Sequence, residues 1–487
     1  MVFYISVVIV LAFVVWGIVS PDVLADKAND VLAITTTNFG WFYLLSTFVM
    51  LIFVFYLAFS KYGNIRLGKD EDRPKFSNLS WFSMLFSAGM GIGLVFWGVA
   101  EPMSHYLSPP MGADPESPEA ARLAMQYSFF HWGLHPWAIY ALIGLSLAYF
   151  QFRKGRKGLI SQTFYPILKE RVNGPIGKTI DVLAIIATTF GVATSLGLGT
   201  LQINGGLAHI INVPFSITSQ IIIIVVVTFL YMLSALTGLD KGIKILSNVN
   251  LLFVLGLLIL TLLFGPTIFI LDTFTLTLGR YLQNLVQMSL SLTPFSQGSW
   301  VSSWTLFYWA WWISWGPFVG MFIARISKGR TIREFILGVL VIPSSFSFLW
   351  FSVFGGTAMH LEMFKNVRIA EAVKNDMTVA LFVTLEQLPL GYILAIIATI
   401  LIITFFITSA DSATFVLGML SSKGSLNPSS RVKLIWGILQ SSIAIVLLLS
   451  QGLQALQTAS IVSALPFAII MIFMGISLLK SLQAELD

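Results

Sequence analysis

Long apolar stretches separated by short polar ones pattern this chain from end to end. Each stretch is roughly 20 residues, the length a helix needs to cross the hydrocarbon of a bilayer. Twelve spans are predicted, near 1–20, 40–60, 79–99, 128–150, 181–210, 216–237, 246–271, 301–324, 333–355, 389–416, 434–451 and 457–480. The segment near 273–298 differs. It mixes apolar residues with Thr, Ser, Gln and Asn, contains Arg280 and is closed by Pro294. An interfacial amphipathic helix is predicted there. No Lys or Arg precedes the first apolar stretch and a second span soon follows, so it is read as a membrane helix and not as a secretory signal.

Composition agrees with the pattern. Of 487 residues 56% are hydrophobic and 10% charged, against about 25% charged in a soluble domain. So few charges cannot cover a water-facing surface, and membrane lipid takes that place. Cysteine is absent, which excludes disulfides and Cys-based metal or redox sites. The 28 Lys and Arg are distributed unevenly. With both termini placed in the cytoplasm, the outward loops hold only Lys27, Arg122, Arg280, Lys365, Arg368 and Lys374. The rest fall on the cytoplasmic side, as the positive-inside rule expects for a multi-pass protein of the inner (plasma) membrane. The basic runs Arg153-Lys154-Gly155-Arg156-Lys157 and Arg325 to Arg333 are therefore topology signals. No nucleic acid partner is expected, because topology already explains the basic residues behind the net charge of +6.

Some spans break helix rules. Span 3 reads Ser87-Ala88-Gly89-Met90-Gly91-Ile92-Gly93. Each glycine costs a helix about 1 kcal/mol relative to Ala, and bare backbone lets a ligand approach. Freed N–H and C=O groups at membrane depth are tolerable only where they line a cavity, so an unwound segment is predicted. Span 8 carries Gly316-Pro317, from which a second interruption is predicted. Spans 3–7 and 8–12 then form two five-helix units, each opened by a broken helix. An odd count makes the units inverted in the membrane, and paired broken helices point to a transporter binding site. The chain is thus divided into two peripheral helices with their loop (1–78), a first repeat (79–271), the interfacial helix (272–300) and a second repeat with a short tail (301–487).

Aromatic residues gather beside the breaks. Span 4 contains His131-Trp132-Gly133-Leu134-His135-Pro136-Trp137 and Tyr140, and span 8 supplies Tyr308, Trp309, Trp311, Trp312 and Trp315. Facing indoles can cage a quaternary ammonium by cation–π attraction. Asp411, in Thr408-Ser409-Ala410-Asp411-Ser412, is an ionisable group in or near the end of a span and is read as functional. The hydroxyls of Thr408 and Ser409 suit a hard cation such as sodium. A competing class is an intramembrane metalloenzyme built on His131 and His135 with Glu101 and Asp411. No HExxH-type base accompanies the pair, and the Trp-rich surroundings favour the cage.

The runs Gly89-Met90-Gly91-Ile92-Gly93 to Trp97-Gly98-Val99-Ala100-Glu101-Pro102, His131-Trp132 to Tyr140, Tyr308 to Trp315 and Ile407 to Ser412 resemble the betaine/carnitine/choline transporter family. Within it the likeness is to bacterial sodium-coupled glycine betaine transporters. The resemblance implies an all-α membrane protein with a LeuT-type five-plus-five inverted-repeat core behind two extra helices, assembled as a homotrimer and acting as a secondary transporter with no enzymatic activity. It implies an aromatic box of Trp132, Trp137, Tyr140 and Trp312, with Trp311 and Trp315 lining the path and Gly89, Gly91 and Gly93 near the substrate. It implies a sodium site made of the carbonyls of Ser87, Met90 and Phe405 and the hydroxyls of Thr408 and Ser409. A second sodium site would use two threonines one turn apart; Thr188 matches the first, but Val192 stands at the second. Proton-coupled choline carriers of the family have Asp where this chain has Gly93, and cation-independent carnitine exchangers have an Arg near the start of span 7, where this chain reads Leu246-Ser247-Asn248-Val249-Asn250-Leu251-Leu252. Sodium is therefore the implied coupling ion, with no other cofactor. Glycine betaine is the expected substrate; choline, carnitine, ectoine or another compatible solute is the alternative.

Overall fold

The computed structural model describes residues 1–89, 91–237, 240–295 and 298–486, with the side chains of 86–89, 237 and 240–244 outside the description. Among the described residues the regular elements are helices, apart from one isolated β-bridge between Arg66 and Thr331.

Helices α1 (Val2–Val19) and α2 (Pro21–Phe59) are separated only by Ser20. The expected second span covers just the latter half of α2. No Gly or Pro follows Pro21 until Gly40, so nothing stops a helix through the polar stretch at 22–30. α1 packs on two helices of the main body, α8 (Pro175–Ile211) and α18 (Ser430–Gln451). Its Gly17 sits so close to Val446 that a Cβ there would overlap it. This first apolar stretch is thus part of the packed structure.

Span 3 is divided into α3 (Asn78–Gly89) and α4 (Ile92–Leu107), with Gly91 extended between them (φ −159°, ψ −178°). Met90 lies outside the described residues. Span 4 is divided as well, into α5 (Pro118–Trp132) and α6 (Leu134–Ala148), a break the sequence pattern did not announce. Its cause is Pro136. The proline lacks an N–H and its ring opposes the carbonyl of Trp132 one turn back, so the helix restarts at Leu134. The N–H of Leu134 donates instead to Tyr281 Oη at 3.1 Å. Gly133 occupies the break because a Cβ there would lie 2.6 Å from the Phe129 carbonyl oxygen and 2.9 Å from the Phe348 ring.

After the short α7 (Tyr165–Leu168), α8, α9 (Ile217–Thr237) and α10 (Asp240–Phe264) follow. Gly265-Pro266 ends α10, so residues 267–271, expected in span 7, begin α11 (Thr267–Ser289) instead. α11 packs along α5 and α14 (Ile332–Lys365). A single turn, α12 (Trp300–Ser303), precedes α13 (Thr305–Ile326). Here the expected interruption is absent: α13 runs unbroken through Pro317. Proline costs it one backbone hydrogen bond, and the surrounding segment is held by tertiary contacts. Gly316 seats the side chain of Ile143, while the indole N–H groups of Trp311 and Trp315 donate to Ser195 Oγ (3.2 Å) and the Gly191 carbonyl (2.8 Å) on α8.

Two short helices, α15 (Ile369–Asn375) and α16 (Ala380–Glu386), cover the end of α4. Then come α17 (Gly391–Ser421), α18 and α19 (Leu453–Leu486). Among the described residues ten helical stretches are long and apolar enough to cross a membrane, with α5 and α6 counted as one across their break. The two expected spans that fall short of that measure are the divided span 3 and α13, whose many Trp and Tyr lower its hydropathy.

Candidate functional site

One cavity of about 900 Å³ penetrates the helical body. Its inner end is walled by Gly91, Gly93, Trp132, Trp137, Tyr140, Trp311, Trp312 and Trp315, and it leads to Lys75, Arg325, Asn427 and Lys433 at the other end. The two breaks described above create it. Unwinding at Gly91 leaves bare backbone facing the rings. The break after Trp132 lets α5 end and α6 begin at one level, so that Trp132, Trp137 and Tyr140 converge.

The rings meet closely. Trp132 stands edge-on to Trp312, with centroids 4.8 Å apart and planes at 77°, and edge-on to Trp311 at 6.2 Å. Trp311 and Trp312 stack at 4.8 Å, Trp137 meets Tyr140 at 5.4 Å, and Tyr140 meets Trp312 at 6.3 Å. Gly93 abuts this group; a Cβ there would lie 2.4 Å from Trp311 Cη2 and 3.1 Å from Trp132 Cη2. Gly89 ends α3. Trp309 is off the cavity. It is fully buried and stacks on His135 at 5.1 Å.

Hydrogen bonds set the ring orientations. Trp312 Nε1 donates to the His131 carbonyl at 3.0 Å. Trp132 Nε1 donates to Glu101 Oε2 at 2.8 Å, and Tyr308 Oη donates to the same oxygen at 2.5 Å. The other carboxylate oxygen, Oε1, lies 2.7 Å from His131 Nδ1 and 3.2 Å from His105 Nε2. Glu101, His105 and His131 are all completely buried. The expected histidine pair is not a unit: His135 turns away to Ser289 Oγ, at 2.9 Å, and Asp411 lines the cavity separately. The imidazole that joins Glu101 and His131 is His105, one helical turn beyond Glu101. An i, i+4 Glu–His pair inside an apolar span was the signal that could have found it.

Phe405, Thr408 and Ser409 of α17 also line the cavity. The hydroxyl of Thr408 lies 3.0 Å from the Thr404 carbonyl and 3.2 Å from that of Phe405, and Asn250 Nδ2 approaches it at 3.4 Å. Asn250 Oδ1 is buried and has no hydrogen-bond partner. Sequence reasoning missed this residue, scanning its run only for an arginine. Of the other proposed sodium ligands, Ser87 belongs to α3 and Met90 lies outside the described residues. Thr188 is buried on α8, outside the cavity lining, and its hydroxyl donates to the Ala184 carbonyl at 2.7 Å.

A helical membrane body holding a buried aromatic cavity that leads to one end is the architecture of a solute transporter. The chain belongs to the betaine/carnitine/choline family of transporters, whose profile matches residues 1–487. It is 54% identical to the glycine betaine transporter OpuD of Bacillus subtilis (strain 168), over 99% of this chain and 94% of that one. It is 49% identical to a probable glycine betaine transporter of Desulfitobacterium hafniense (strain Y51), over 99% and 97%. It is also 50% identical to an ectoine/hydroxyectoine transporter of Virgibacillus pantothenticus, over 99% and 96%. The members of this family are transporters and not enzymes.

Proposed function

We propose that this protein takes up glycine betaine together with sodium by alternating access. The observation that carries the reading is the convergence of Trp132, Trp137, Tyr140 and Trp312 on one cavity beside Gly91 and Gly93. A trimethylammonium group has no N–H to donate. Its diffuse charge is held by aromatic faces, and a buried contact of this kind contributes about 2 kcal/mol. The substrate carboxylate would lie against the bare backbone around Gly91.

Sodium enters as co-substrate. Phe405, Thr408 and Ser409 of α17 line the same cavity as Gly91; their oxygens would supply the ion's ligands, and the unpartnered Asn250 Oδ1, whose amide nitrogen approaches Thr408, would be a further one. A sodium ion there would hold broken span 3 against α17 and so order the glycine segment for the substrate carboxylate. Counting α3–α4 and α13 as crossings makes twelve spans, with both termini cytoplasmic, in a LeuT-type repeat core whose units assemble as homotrimers. The end of the cavity with Lys75, Arg325 and Lys433 would then face the cytoplasm.

The ectoine/hydroxyectoine transporter at 50% identity supports a second reading, in which the cage takes the delocalised amidinium of a cyclic compatible solute. Uptake of labelled betaine into proteoliposomes, with and without a sodium gradient, tests the first reading. Betaine uptake that requires sodium and resists excess ectoine and choline is the expected result. Sodium-independent uptake, or displacement by ectoine at lower concentration than by betaine, would overturn it.

A further inference from the structure

Behind the cage lies a group that the cage chemistry alone does not require. The Glu101 carboxylate is fully buried, and four groups converge on it: Trp132 Nε1 and Tyr308 Oη donate to Oε2, while His131 Nδ1 and His105 Nε2 lie within hydrogen-bond distance of Oε1. An indole N–H and a phenol both pointing at Oε2 leave that oxygen no room for a proton. With both imidazole nitrogens protonated toward Oε1, the four groups fill the four acceptor sites of an ionised carboxylate. Neutral imidazoles suffice to make these bonds, since His131 Nε2 can accept from Thr305 Oγ1 at 3.0 Å and His105 Nδ1 has no partner. Among the described residues Glu101 has no Lys or Arg within ion-pair distance. A buried negative charge without a full counter-charge is costly unless something else complements it.

The local fold aims this charge at the cage. Neighbouring residues on a helix ordinarily diverge by about 100°, yet the long side chains of His131 and Trp132, at the end of α5, both reach the same carboxylate. The Trp132 ring therefore has Glu101 on its N–H edge, and it lines the substrate cavity beside Trp311 and Trp312. A carboxylate that accepts from an indole N–H pushes electron density into the ring, and a richer ring face attracts a cation more strongly.

We propose that Glu101 is a specificity-determining positioning residue. Through the Trp132 indole it fixes the ring and strengthens its attraction for positive charge, so that the cage favours a quaternary ammonium over a neutral group of the same shape. This rests on the cage reading above.

The test compares glycine betaine with 3,3-dimethylbutanoate, which replaces the charged nitrogen by carbon at nearly the same shape, by titration calorimetry on purified protein. Wild type is expected to prefer betaine. In Glu101→Gln the betaine Kd should rise severalfold, a part of what one whole buried cation–π contact contributes, while the Kd of the neutral analogue changes less than about twofold. Glu101→Asp, which keeps the charge but withdraws it from the indole, should fall between the two, and it carries the comparison if Glu101→Gln does not fold. Equal losses for both ligands would mean that Glu101 only props up the cage, and no loss for either would mean that it does nothing there; both overturn the proposal. A wild type that binds the two ligands equally would overturn the cage reading itself.

Discussion

At the scale of single residues, Trp312 and Gly93 carry the sharpest expectations. Trp312 stacks on Trp311, stands edge-on to Trp132 and faces the cavity. Trp312→Leu removes one aromatic wall, worth about 2 kcal/mol when desolvated. The KM for betaine should rise at least about tenfold in proteoliposome uptake, and an unchanged KM would remove Trp312 from the cage. Trp309→Leu should act differently. Trp309 is buried against His135 and Phe130, away from the cavity. Truncating it should lower the thermal unfolding temperature, at a cost of about 3 kcal/mol, and leave the betaine KM of the folded fraction within about twofold. From sequence, Gly93→Asp is expected to admit choline by placing a carboxylate beside the ammonium group. The structure adds a steric condition. A Cβ at 93 would overlap Trp311, so Gly93→Ala alone should weaken betaine binding, measurable by calorimetry. Gly93→Asp can admit choline only if Trp311 moves.

At the scale of elements, the helix breaks and α17 matter most. Gly133 separates α5 from α6, with the Phe129 carbonyl and the Phe348 ring against it. Gly133→Ala would force both to shift, an overpacking cost of about 1–3 kcal/mol. A thermal shift assay should show lower stability; no change would mean that the break has slack. On α17, Thr408 and Ser409 line the cavity. Replacing both with Ala should raise the sodium concentration for half-maximal uptake severalfold. Betaine affinity should fall with it, because the coupling between two ligands is reciprocal. A sodium curve that stays put in the double variant would place the ion elsewhere. Much of this was legible along the chain. The glycine run of span 3 announced its division, since no helix tolerates three alternating glycines without cost. Pro317 misled: a proline removes one hydrogen bond, but α13 packs on α6 and α8 and stays helical through it. Pro136 reads as a helix-breaking proline beside an aromatic cluster, but the local pattern alone does not predict that span 4 is divided there.

At the scale of the whole molecule, the direction in which the cavity opens is testable. The chain contains no cysteine, so a single introduced thiol reports without background. Ser234 lines the cavity toward the end that carries Arg325 and Lys433. Ser234→Cys should react with a membrane-impermeant maleimide in inside-out vesicles and resist it in right-side-out ones; the reverse pattern would invert the topology. At the basic end the last helix is tied to the body. Glu485 pairs with Arg153 and with Lys154 at 2.8 Å, and Arg153 also bonds Asp70 at 2.8 Å. The guanidinium beside Asp70 holds that exposed carboxyl below its usual range. A basic cluster that reads in sequence as a topology signal thus also anchors the end of α19 to the loop at 66–70.

Hydrophobic period and glycine spacing depend only on neighbours along the chain, so the apolar spans, the weakness in span 3 and the presence of two Trp clusters followed from the sequence by itself. The family followed too, because its motifs are contiguous. Only the tertiary structure decided which of these residues meet. Glu101, His105, His131, Trp132 and Tyr308 come from three helices, and their convergence depends on where α5 stops and how α4 and α13 cross it. Asn250 reaches Thr408 across 158 positions, a contact no local pattern encodes. A buried carboxylate must find donors wherever the packing brings them, and that packing is a property of the assembled helices rather than of any one stretch of chain.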